Sequence, residues 1–249
     1  MKRAFSTSLV AAVALMAFNA PVQASVQDDR IESAAKQSYV FKTYLKDDDI
    51  KIKAKDGVVA LSGTVSEEAH KSLAEETVAS LPEVKSVDNK LEVKGERPVA
   101  QSDAWIQTKV KTTLLFHRSV SATTKVDVKD GIVTLRGAAD NQAQKDLTTE
   151  YAKDVDGVKD VKNDMTLAKT SQEARTVGDK IDDASITGLV KMTLLYHRST
   201  SGLQTKVETK DGVVTLSGKA SNAAEKDLAT KFAKDVNGVT EVKNKMTIG

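Results

Sequence analysis

The sequence predicts an α+β fold made of three tandem small modules, each running helix, strand, strand, helix, strand (α-β-β-α-β). Two observations carry that prediction. The stretch Lys-Asp-Gly-hydrophobic-Val-x-Leu-x-Gly occurs three times, as Lys55–Gly63, Lys129–Gly137 and Lys210–Gly218. Each copy is followed by a helix-period run and then by a second signature: Glu83–Leu91, Gly157–Met165 and Gly238–Met246. Self-similarity of this kind means one supersecondary unit built repeatedly.

The middle copy shows the elements in order. Ile106, Val110 and Leu114 recur every four residues, one face of a helix. Asp103 stands just ahead, where it is expected to cap the first turn. His117 and Arg118 close the run, groups suited to a helix C-terminus. Val126 and Val128 then alternate with Asp127 and Lys129, a half-buried strand. Asp130-Gly131 supplies a hairpin turn, and Ile132–Leu135 returns as the second strand. Ala143, Leu147, Tyr151 and Val155 define the second helix, with Asp140 or Asn141 as its cap and Gly157 as its stop. Val158, Val161, Met165 and Leu167 make the last strand.

The third copy repeats the plan through Ile186, Val190, Leu194, Val207, Asp211-Gly212, Ala224, Leu228, Phe232, Val236, Val239, Val242 and Met246. The first copy fits through Phe41, Leu45, Ile52, Asp56-Gly57, Ala69, Leu73, Leu81, Val84, Val87 and Leu91. It differs in carrying Asp47-Asp48-Asp49 where the others have His-Arg. The expected modules are residues 31–94, 103–168 and 180–249, joined by Gly95–Ser102 and Ala168–Asp179. Units of about 60–70 residues bury only about 60% of their chain surface, so docking of one copy on another is expected.

Residues 1–24 read as a cleaved signal peptide: Lys2 and Arg3, an apolar run of about ten residues from Leu9 to Phe18, and Val22-Gln23-Ala24 before the cut. That run is too short to span a bilayer, which takes roughly twenty residues. The expected location is the periplasm, with no transmembrane segment. The chain has no Cys, which excludes disulfide staples, thiol catalysis and thiolate metal sites. Lys+Arg number 37 and Asp+Glu 35, and the counts are equal once Lys2 and Arg3 are removed. A nucleic-acid binder shows a strong basic excess, so nucleic acid is not an expected partner.

The hairpin with V-x-L-x-G and the closing G-V-x-x-V-x-N-x-(L/M) strand resemble the BON domain. Tandem copies behind a signal are similar to the osmotically inducible periplasmic protein Y family, although the usual member has two copies and this chain three. The resemblance implies a three-stranded sheet covered on one face by two helices. It also implies a role in envelope maintenance under osmotic stress, with phospholipid binding and, for some members, chaperone-like activity.

No nucleophile elbow, phosphate loop or paired-carboxylate constellation appears, and no catalytic residue or cofactor is expected. Of the three His, His117 and His197 take equivalent places in two copies, with no second ligand at metal spacing. They read as helix-end residues, and no metal site is expected. The repeated Asp-Gly lacks the alternating oxygen ligands of a calcium loop. The candidate binding surface lies on the first helix of the second copy. Trp105, Lys109, Thr112 and Phe116 form one stripe, with Lys111 and Arg118 nearby. Aromatic rings with cationic stems suit an anionic phospholipid surface. The bland alternative is that Trp105 and Phe116 cover the core or pack one module on the next. The two functional expectations are peripheral binding to anionic phospholipid and a periplasmic chaperone for exported client proteins.

Overall fold

The computed structural model describes residues 20–95, 98–120, 123–168, 181–200 and 205–249, residues 20–25 by backbone alone. Most of the expected signal peptide, residues 1–19, lies outside the described residues. The first module comprises α1 (Ala20–Gln37), α2 (Tyr39–Thr43), β1 (Asp49–Lys55), β2 (Val58–Val65), α3 (Glu68–Ala79) and β3 (Ser86–Val93). The second has α4 (Asp103–Phe116), β4 (Lys125–Lys129), β5 (Ile132–Arg136), β6 (Ala138–Ala139), α5 (Gln142–Lys153), β7 (Asp160–Asn163) and β8 (Thr166–Leu167). The third has α6 (Asp183–Tyr196), β9 (Thr205–Lys210), β10 (Val213–Ala220), α7 (Ala223–Lys234), β11 (Glu241–Asn244) and β12 (Thr247–Ile248). This is the predicted α+β repeat.

Each hairpin is antiparallel, and the last strand of the module joins its second strand in parallel. Val59 pairs with Val87, Val133 with Val161 and Val214 with Val242. The turns take two successive positive φ values, 54° and 80° at Asp56-Gly57, 54° and 81° at Asp130-Gly131, 52° and 77° at Asp211-Gly212. That backbone follows the right-handed twist of the strands, and Asp-Gly adopts it at little cost.

A repeated acid on each first helix serves the hairpin turn instead of capping the helix. Asp103 accepts from the amides of Asp130 (2.7 Å) and Gly131 (2.8 Å), while Ser102 Oγ caps α4 by accepting from Trp105 N. Asp28 and Asp183 do the same at Asp56-Gly57 and Asp211-Gly212. The first module's opening helix is therefore α1, with Ile31 and Ala35 in the core, ahead of the Phe41–Leu45 run expected from sequence. Asp103→Ala should lower stability by about 1–2 kcal/mol in urea unfolding, because two turn amides lose a carboxylate acceptor.

The repeated Asn of the closing signature also has a structural explanation. Asn89, Asn163 and Asn244 each donate from Nδ2 to the second helix, at Lys71 O, Lys145 O and Lys226 O. Their Oδ1 atoms accept from Leu91 N, Met165 N and Met246 N. Of the face expected for the second helix of module 2, only Tyr151 and Val155 are buried. Asn141 caps α5, but Ala143 and Leu147 are exposed while Thr148, Tyr151 and Ala152 are buried. Leu147 lines a cleft between modules, and its counterpart Leu228 lines the same cleft while also packing against the core.

Buried apolar residues of all three modules form one continuous cluster. Its centre is α6, where Ala184 through Val190, Met192, Thr193 and Leu194 are all buried. Its neighbour α3 comes so close that a Cβ on Gly188 would lie 2.6 Å from Thr77 Oγ1. At α2, Tyr39 N donates to Asp182 Oδ2 and Val40 N to Ser185 Oγ.

Candidate functional site

The structure divides the predicted stripe on α4. Trp105 is half-buried, and Lys109 Nζ sits 4.0 Å from its ring centroid and 5.5 Å from that of Tyr196. These side chains line a groove of about 450 Å³ with Thr112, Lys94, Glu67 and Glu68. Burial pulls the Lys109 ammonium below its ordinary value, against the opposing charge of Asp156. The Tyr196 hydroxyl is pushed up by burial and by Glu67 and Glu68. A cation held over an indole and partly stripped of water is attracted by the ring quadrupole.

Phe116 departs from the expected surface stripe. It is 2% exposed and meets the Tyr44 ring edge-on at 5.5 Å, joining modules 1 and 2. Lys111 is exposed. Arg118 reaches into module 3, donating from its backbone N to Asp235 O (2.9 Å) and from Nη1 to Val239 O (3.3 Å). In the equivalent stripe of α6, Ser185, Leu189 and Met192 are fully buried, while Tyr196 is half-buried and joins the lining of the same α4 groove. Phe116 is thus packed between modules, whereas Trp105 lines the groove.

Sequence reasoning missed a second constellation, at the joint of modules 2 and 3. His117 and His197, the C-cap residues of α4 and α6, are both buried and face each other with Nε2–Nε2 at 3.0 Å. His117 Nδ1 bonds Asp235 Oδ2 (3.1 Å) and His197 Nδ1 bonds Asp154 Oδ2 (3.0 Å). Ser119 and Ser199 donate to the other oxygens of the same carboxylates, and Arg198 N donates to Asp154 O at 2.9 Å. His117 stacks on Tyr151 and His197 on Phe232, each at 3.9 Å. The arrangement is nearly two-fold symmetric. One break in that symmetry is the Tyr151 hydroxyl, which donates to Asp235 Oδ2 (2.9 Å), whereas its counterpart Phe232 carries no hydroxyl.

Beside the joint lies a cleft of about 700 Å³, with Leu147, Leu228, Lys231 and Lys234 in its lining. A signal for the joint was present in the sequence. Copies two and three share His-Arg-Ser after the first helix and Ala-Lys-Asp-Val at the end of the second, and copy one has neither. The remaining histidine, His70, bonds Ser66 Oγ (3.0 Å) and Asp48 in a clasp within module 1. No group of three or more metal-ligating side chains occurs among the described residues. No helix among them is long and apolar enough to cross a membrane.

Comparison with known proteins places these features in context. The BON domain family model matches residues 27–95, 102–169 and 182–249. The chain is 38% identical over 145 residues to osmotically-inducible protein Y of Escherichia coli (strain K12), covering 57% of this chain and 70% of that protein. It is 31% identical over 113 residues to a 21 kDa hemolysin of Actinobacillus pleuropneumoniae, covering 45% of this chain and 56% of that one. The C-terminal domain of CdsD, a structural protein of the type III secretion system of Chlamydia trachomatis, aligns over 90% of this chain and 97% of its own. Its identity is 16% and its TM-score 0.24, a likeness too loose to carry an argument.

Proposed function

The chain belongs to the BON domain family, and from that premise we propose that it is a non-enzymatic periplasmic protein of the osmotic and envelope stress response that binds anionic phospholipid surfaces peripherally. The likeness to osmotically-inducible protein Y supports the stress role. The observation that carries the lipid reading is the Lys109 ammonium held over the half-buried Trp105 ring in the lining of a surface groove. An amphipathic aromatic body beside a cation suits the head-group boundary, where each basic residue contributes about 1 kcal/mol. The proposed contact set is Trp105, Lys109 and the exposed Lys111. Phe116 is enclosed, and Arg118 is engaged at the joint.

Vesicle flotation tests this reading. The protein should float with anionic but not zwitterionic vesicles, release at high salt, and lose binding about tenfold or more on Lys109→Glu or Trp105→Ala. Circular dichroism of each variant separates loss of contact from loss of fold. Flotation of Lys109→Glu at the level of the parent protein would place the contact elsewhere. No flotation with any vesicle would remove the lipid reading.

A second reading, a periplasmic chaperone for exported clients, is favoured by Leu115 and Leu195. They occupy equivalent positions on α4 and α6 and remain 47% and 39% exposed. Suppression of client aggregation without vesicles or ATP is its test.

A further inference from the structure

We infer that the joint between modules 2 and 3 is closed by one proton shared between His117 and His197, and that adding a second proton or removing the first opens it. Asp235 Oδ2 accepts from both His117 Nδ1 and the Tyr151 hydroxyl, and Oδ1 from Ser119, so this carboxylate is ionised. Asp154 holds His197 Nδ1 and Ser199 in the same way. Both Nδ1 atoms therefore carry hydrogen, which leaves the two Nε2 atoms facing each other at 3.0 Å. With no hydrogen between them, two lone pairs repel. With two, the hydrogens collide. One hydrogen makes a hydrogen bond of ordinary length and gives the pair a single positive charge.

The surroundings favour that charge. The C-termini of α4, α5, α6 and α7 converge here, with Asp154 and Asp235 as the C-caps of α5 and α7. Four carbonyl-rich helix ends and two carboxylates make a negative field. The groups facing the pair from these elements are Asp154, Asp235, Tyr151, Arg118 and Arg198, and each guanidinium Nε stands 3.7 Å from its carboxylate. Burial lowers the His117 value; the hydrogen bond to Asp235 opposes this, and charge on His197 lowers it further.

The sign of the pH dependence follows. A solvated imidazole takes up its proton at about pH 6.5, so two free rings bind two extra protons in acid and none in base. Docked, the pair binds one. Below about pH 6.5 the undocked state binds more protons, and docking weakens as pH falls. Above it the docked state binds more, and docking weakens as pH rises. Stability of the joint therefore peaks near neutrality.

The backbone amides of Arg118 and Arg198 donate across the joint and report its opening directly. Their hydrogen exchange in the full chain, corrected for intrinsic chemistry, should show protection that peaks near pH 6.5. It should fall about tenfold per pH unit on the acid side. His117→Gln should keep the acid limb and lose the alkaline one, because a neutral amide can donate to His197 Nε2 without an extra proton. The double His117→Gln/His197→Gln variant should be flat. Ring ¹⁵N shifts in the unaltered protein should show one shared proton at neutral pH, a measurement independent of whether the variants fold. A flat profile in the unaltered protein, or two neutral rings at pH 6.5, would overturn the inference. So would Zn²⁺ or Cu⁺ raising protection several-fold and a chelator reversing it, which would make the pair a metal site.

Discussion

Asp235→Ala is expected to destabilise the protein by about 3–5 kcal/mol at neutral pH, the usual cost of removing one partner from a buried charged network. Asp235 is 9% exposed and accepts from His117, Ser119 and Tyr151. Truncation leaves the buried Tyr151 hydroxyl without this acceptor and the His117 Nδ1–H facing a void. Asp154→Ala removes the equivalent carboxylate but strands no tyrosine, because Phe232 stands in that place. It should cost about 1–2 kcal/mol less, the penalty for one orphaned buried donor. Tyr151→Phe should close that gap, and urea unfolding of the four proteins measures it.

The acid dependence has a definite sign. Burial alone would raise the Asp235 carboxyl, but hydrogen bonds from His117, Ser119 and Tyr151 outweigh it and hold the carboxyl below its usual range. A lowered folded value means the contribution is present above the unfolded value, about 3.9, and is lost as pH falls through the folded one. The stability difference between parent and Asp235→Ala should therefore shrink in strong acid. A difference that stays constant to pH 2 would show that packing, not charge, sets the loss.

Much of the module was legible because its signals are local. Asp130-Gly131 specifies its turn through backbone φ alone, and Val133, Leu135 and Val161 alternate as strands do. Where reading failed, the deciding partner was distant in sequence. Asp103 sits at a helix start, yet its ligands are turn amides 27 and 28 residues on. The face of α5 was misjudged because Leu147 meets a cleft that only the adjoining module creates. Periodicity shows that a helix has an apolar arc but not what covers it. The same predicted stripe is therefore enclosed at Phe116 and half-open at Trp105. His117 and His197 each looked isolated because a single copy contains half of the network. Only the docked pair places their Nε2 atoms together.

Phe116→Ala is expected to cost about 3–5 kcal/mol, the range for a buried aromatic truncated in a close-packed core. Its ring is 2% exposed and ends edge-on against Tyr44, a geometry worth about 0.5–1.5 kcal/mol beyond burial. Tyr44→Ala combined with Phe116→Ala should show a coupling of that size in a double-mutant cycle, since the two rings share one contact. Trp105→Ala should cost less than Phe116→Ala, because the indole is only half-buried. The two residues stood on one predicted stripe, and these variants separate their roles. At a temperature where Phe116→Ala remains folded, it should float with anionic vesicles as the parent does, whereas Trp105→Ala should not. If Phe116→Ala loses flotation while its fold and melting transition are unchanged, the ring must leave the core to meet the membrane. Lipid binding would then require modules 1 and 2 to part at the Tyr44–Phe116 contact.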